Sequence, residues 1–151
     1  MKKFDENMLK TLKEQIRAAY GVELETQGHV VLQTGENKIR FTTEETYELA
    51  LNFRGVANIG VYVAKSRKKF TLITIEGCMF TKLLAGANLV HVSKEQALSW
   101  MKGDPVEVGP VSAKTVIGMY GKHFLGSAVV DVNGTAYPQI PKWRRIPPTI
   151  S

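Results

Sequence analysis

Two short stretches of this sequence concentrate residue types that hold anions. Lys65-Ser66-Arg67-Lys68-Lys69 places four cations in five positions, and Pro141-Lys142-Trp143-Arg144-Arg145 sets a tryptophan among three cations. Guanidinium groups suit phosphate through forked hydrogen bonds, and they stack on bases. A tryptophan beside them can stack on an unpaired base. Lys122-His123 adds a cation on a further turn. Each feature also has a plainer reading. Lys65–Lys69 can be a solubilising loop, and Trp143 can fold back onto the protein because an indole in water is costly. The two Trp143 readings are compatible, since a pinned tryptophan aims the arginines next to it. The expectation is that Trp143 anchors the tail while Arg144 and Arg145 reach phosphate.

Other chemistries find little support. A zinc site needs clustered Cys and His, and Cys78, His29, His91 and His123 are scattered. The three histidines read as strand residues. No G-x-x-x-x-G-K-[ST] loop, G-x-G-x-x-G turn or G-x-S-x-G elbow occurs. From Ala87 onward the only carboxylates are Glu95, Asp104, Glu107 and Asp131, too few for a natural acid/base pair. No catalytic residue, metal or cofactor is expected, and the chain does not read as an enzyme. Cys78 is the single cysteine, and its setting in "TIEGCMF" predicts a buried, inert thiol.

The chain has 151 residues, 44% of them hydrophobic and 23% charged, which suits one ordinary domain or two small lobes with a real core. Its net charge of +6 permits a nucleic acid or an anionic membrane as partner. Its apolar runs fall well short of the roughly 20 residues of a membrane-spanning helix. The start, "MKKFDE", lacks the apolar core of a signal peptide. A soluble, cytoplasmic protein is expected.

The elements that must position these cations follow from local signals. Asp5 caps a helix in which Met8, Leu9, Leu12, Ile16, Ala19 and Tyr20 recur at helical spacing, and Gly21 ends it. "HVVLQTGENKIRFTT" reads as a hairpin around Thr34–Asn37. Thr42 with Glu45 resembles a capping box for a helix over about residues 44–52. "GVANIGVYVAK" and "KKFTLITIEG" look like strands covered on both faces, with Lys65–Lys69 at the turn between them. "MFTKLLAGANL" suggests a short helix stopped at Gly86, and "NLVHV" a strand. Ser93 and Gln96 form a capping box for a helix with Ala97, Leu98 and Met101 on one face. "VEVGPV", "KTVIGMYG", "HFLGSAVVDVNG" and "TAYPQI" are short β segments of a small barrel or curled sheet. Regular structure is expected to end near Ile140.

At this level of organisation the sequence resembles a known family. Gly103-Asp104-Pro105-Val106-Glu107-Val108-Gly109-Pro110-Val111, followed by "KTVIGMYGKHFLGSAVV", is similar to a PUA domain. The first half, "FTTEETYELALNF…IGVYVAKSRKKFTLITIEGCMF", resembles the N-terminal lobe of the Nip-seven ribosome-biogenesis family, with Ala64-Lys65, Lys68-Lys69-Phe70, Leu72 and Thr74 in the matching strand pair. The ending "LGSAVVDVNGTAYPQIPKWRR" is similar to the PUA-like domain of Nop-two/Sun RNA cytosine methyltransferases, although Trp143 and the double arginine depart from the general PUA pattern. The resemblance implies an α+β fold, with an N-terminal α/β lobe over residues 1–86 and a PUA-like β-barrel over 87–151. It implies a non-catalytic protein that binds ribosomal or transfer RNA in ribosome biogenesis, rRNA processing or RNA modification, with assembly or modification proteins as partners and no membrane. The alternatives are a detached targeting subunit of an RNA methyltransferase, or a protein-interaction adaptor. The implied RNA contacts are Lys102, Lys114, Lys122, Lys142, Trp143, Arg144 and Arg145. Lys65, Arg67, Lys68 and Lys69 would serve a second RNA or partner site on the other lobe.

Overall fold

A computed structural model describes residues 1–147; residues 148–151, the end of the expected second lobe, lie outside the described residues. Helix α1 (Glu6–Tyr20) begins at Asp5, whose carboxylate accepts the Met8 N–H at 2.8 Å. It ends at Gly21, which adopts φ 67° and donates its N–H to Arg17. Leu12, Ile16 and Tyr20, four residues apart, form its buried stripe. The helix packs on an antiparallel sheet of β1 (Lys2–Lys3), β3 (Val30–Thr34), β4 (Lys38–Thr42), β5 (Val61–Ser66) and β6 (Thr71–Ile73), in the order β1-β3-β4-β5-β6. A separate two-stranded ribbon pairs β2 (Val22–Leu24) with β7 (Thr81–Leu83).

Several local expectations are corrected here. Helix α2 (Glu44–Leu51) is capped by Thr43 rather than Thr42, with the Thr43 hydroxyl accepting the Thr46 N–H at 3.2 Å. "MFTKLLAGANL" is not a helix. The helical turn comes earlier, as α3 (Ile75–Cys78), where the Thr74 hydroxyl accepts the Gly77 N–H at 2.9 Å. Residues 81–83 instead extend to satisfy the backbone of β2, so strand pairing overrides local propensity. Nor is β5 covered on both faces: Val61 is 41% exposed, and Tyr62 and Lys65 are half-buried.

The second half forms a curled sheet of β8 (Leu89–His91), β9 (Val106–Glu107), β10 (Thr115–Tyr120), β11 (His123–Val130) and β12 (Thr135–Pro138). Its order is β8-β10-β11-β12-β9, with β8 parallel to β10 and the other pairs antiparallel. Helix α4 (Lys94–Lys102) covers it and opens on the expected Ser93/Gln96 capping box. Its buried face is Ala97 and Trp100, whereas Leu98 is 46% exposed. The Trp100 indole N–H donates to the Leu125 carbonyl at 2.9 Å. Its ring lies against Gly118, where an added Cβ would sit 2.6 Å from the ring. The whole is an α+β fold.

The two halves share a core. Ile117 and Met119 of β10 belong to the same buried cluster as Leu12, Ile16, Phe41 and Ile73. Polar bonds close the seam. Ser127, fully buried on β11, accepts the Ile73 N–H and donates to the Ile73 carbonyl, both at 2.9 Å. Asn88 donates its backbone N–H to Tyr20 and its amide to Ala19, each at 2.8 Å. Among the described residues, no helix is long and apolar enough to cross a membrane.

Candidate functional site

Strand β4 alternates Lys38 and Arg40 with the buried Ile39 and Phe41, so both cations face outward. Lys38 lies opposite Lys65, and Arg40 opposite Tyr62. That pairing requires a bulge, because Tyr62 and Lys65 are three residues apart while Lys38 and Arg40 are two. The extra residue brings Tyr62 and Lys65 onto one face. Like charges directly opposite on neighbouring strands are destabilising, a cost that a bound anion would relieve. The Lys38 ammonium lies 5.5 Å and the Arg40 guanidinium 5.6 Å from the centre of the Tyr62 ring. Arg40 is held by its Nε donating to Thr34 Oγ1 and its Nη1 to the Gly60 carbonyl, both at 3.1 Å. Burial pushes the Tyr62 phenol up while Arg67 and Arg40 pull it down, and the net direction is upward.

The tail reaches this face from the other half. Ile140 is buried, and a 3-10 turn follows at Lys142–Arg144, so regular structure runs past the expected end. The Arg145 Nε donates to the Ile140 carbonyl at 3.0 Å, and the Ile146 N–H to the Met101 carbonyl at 3.0 Å. Arg145 crosses the end of α4 over Gly103, where a Cβ would lie 2.8 Å from its Nε. A cation there also meets the partial negative charge of the helix end.

Together the two halves enclose a cleft of about 500 Å³. One wall carries Lys38, Tyr62, Lys65 and Arg67; the other carries Gln139, Lys142, Trp143 and Arg145. Leu72, Ile73 and Thr74 are also part of its lining. Among the described residues, five cations and no carboxylate line it. The cations expected on separate lobes therefore meet in one place.

Trp143 overturns an expectation. It does not fold back as an anchor; it is 72% exposed. Ile140 and the backbone bonds hold the tail instead, and the buried tryptophan is Trp100. Arg144 also differs from the simple picture of a free phosphate ligand. Its Nη1 pairs with Glu76 of α3 at 2.6 Å, and its guanidinium lies 5.7 Å from the centre of the Trp143 ring.

The remaining expected contacts are dispersed. Lys68 and Lys69 are exposed on the β5–β6 loop but do not line the cleft. Lys102 is half-buried at the end of α4, next to Gly103 and Arg145. Lys114 and Lys122 are exposed at opposite ends of β10, roughly 20 Å apart by the rise of an extended strand. Sequence reasoning missed Lys38, Arg40, Tyr62 and Gln139. The alternation in "KIRF" carried a signal for the first two; the bulge that adds Tyr62 leaves no local signature.

Cys78 is fully buried, and burial pushes its thiol up to about 12, with Glu76 adding to the rise against a Gly126 backbone hydrogen bond. Of the histidines, His91 and His123 sit at strand ends, while His29 lies in a turn and packs on Phe41 and Phe80. Among the described residues no group of three or more His, Cys, Asp or Glu is placed to hold a metal ion. Compared with protein-family models and with curated proteins, the chain gives no match to either.

Proposed function

We propose that this protein is a non-catalytic RNA-binding protein that acts on ribosomal RNA in ribosome biogenesis or RNA modification. The observation that carries the reading is the cleft between the halves, lined among the described residues by five cations, no carboxylate and an exposed tryptophan. Phosphate is the anion that such a cluster of Lys and Arg suits, and contacts of this kind supply most of the sequence-independent affinity for nucleic acid. The resemblance to PUA domains and to the Nip-seven family supports RNA, and rRNA in particular, as the ligand. Crosslinking the protein to cellular RNA and sequencing the adducts tests it. Ribosomal precursor sequences are expected, with the crosslinked peptides drawn from β4, β5 and the tail. Recovery of no RNA would overturn the reading.

A second reading, a protein-interaction adaptor in ribosome assembly, draws on a different surface. Leu49, Leu51 and Phe53, on and just after α2, are 59%, 61% and 62% exposed. A protein partner seated on this end of α2 would take these side chains out of water. Capture of assembly proteins with RNA removed by nuclease would favour this reading over the first.

A further inference from the structure

We infer that the cleft takes a single-stranded RNA segment, with one unpaired base stacked on Trp143 and the adjoining phosphates held by Lys65 and Arg67; this rests on the RNA-binding reading above. Size argues first. About 500 Å³ lies in the range of roughly 300–1,000 Å³ of sites that enclose one small molecule. That is room for one nucleotide. The indole argues second. Trp143 is 72% exposed, and beside it Glu76 pairs with Arg144, whose guanidinium lies 5.7 Å from the ring centre. An exposed ring beside a guanidinium that the first half holds offers an open face for stacking. Tyr62, the other aromatic of the cleft, is half-buried and already flanked by Lys38 and Arg40, so it does not compete for the base. Charge argues third. Lys65 and Arg67 belong to the wall facing Trp143, and Lys65 stands opposite Lys38 on the neighbouring strand. Bases inside a duplex are stacked and paired, so an aromatic platform selects unpaired ones.

The test uses fluorescence of the full chain, which has only two tryptophans. Trp100 is fully buried with its N–H bonded to Leu125, so it serves as an internal reference. A short oligoadenylate should quench Trp143, and the same strand paired with oligouridylate should not. Trp143→Ala should lower affinity for the single strand by roughly 5- to 150-fold. Affinity for the duplex and the melting temperature should not change. Binding of the single strand without quenching, or an equal loss for both RNAs, overturns the inference and leaves RNA binding standing. If neither RNA binds, the RNA-binding reading falls and the inference falls with it.

Discussion

Replacing Lys65 and Arg67 together by glutamine should change the salt dependence of RNA binding by a calculable amount. Among the described residues the cleft is lined by five cations, Lys38 and Lys65 from the first-half sheet, Arg67 from the β5–β6 loop, and Lys142 and Arg145 from the tail. Each phosphate contact to a single strand releases counterions and contributes about −0.7 to the slope of log K against log salt. With one phosphate for each lining cation along a strand that continues past the cleft, five contacts give a slope of about −3.5, and the variant, with three, about −2.1. Between about 50 and 200 mM salt the wild type should lose about 130-fold in affinity and the variant only about 20-fold. At about 0.1 M salt the variant should bind about 25-fold more weakly. Fluorescence anisotropy of a labelled single strand across a salt series reads all three values. Lys114→Gln with Lys122→Gln is the matched control, since both lysines are exposed and neither lines the cleft. The cleft variant should also stay within about 0.5 kcal/mol of wild-type stability, as expected for surface charges. Relief of the Lys38–Lys65 repulsion acts in the stabilising direction. An unchanged slope in the cleft variant, with a reduced slope in the control, would refute the argument that the two halves form one site.

Three further predictions concern the scaffold that holds the cleft open. Ser127→Ala strands the Ile73 N–H and carbonyl without their partner at a fully buried seam. The expected cost is about 2–4 kcal/mol, seen as a fall of roughly 5–15 °C in melting temperature. Gly118→Ala drives a methyl to 2.6 Å from the Trp100 ring, and should cost about 1–3 kcal/mol by urea denaturation. Stability should also fall at alkaline pH. Burial raises the Tyr20 phenol from 10.0 to about 12 and the Cys78 thiol from 9.0 to about 12. The unfolded chain therefore loses these protons first, so the contribution is full below pH 9.0 and is lost as pH rises toward about 12. Urea midpoints across the alkaline range, compared with those of Tyr20→Phe, check the sign; a flat profile contradicts it.

Much of the secondary structure was legible because its signals act over a few residues. Asp5, Ser93 with Gln96, Gly21 and Gly103 start and stop helices through bonds three or four positions away. Gly35 and Asn37 turn the β3–β4 hairpin with positive φ. Where two local outcomes were close, sequence reasoning failed. Residues 81–83 have residues that suit a helix, and pairing with β2, some sixty positions earlier, made them a strand. The fate of the two tryptophans was equally hidden. Trp100 is buried because Gly118 leaves room for its ring and Leu125 accepts its N–H, and neither partner is near it in the chain.

The order of residue types alone sets the inventory: a basic chain with two cation clusters, one of them carrying a tryptophan, on short helices and strands with readable caps. It also marked Cys78 for the interior through its apolar neighbours. The joining of the clusters was settled by the fold. Lys65 and Arg67 meet Lys142, Trp143 and Arg145 because Ser127 bonds to Ile73 and β10 packs into the core of the first half. The β5 bulge then turns Lys65 to the same face as Lys38. Caps and turns are decided by the nearest few residues, whereas a cleft between halves depends on contacts more than fifty positions apart, and such contacts have no period or spacing to read.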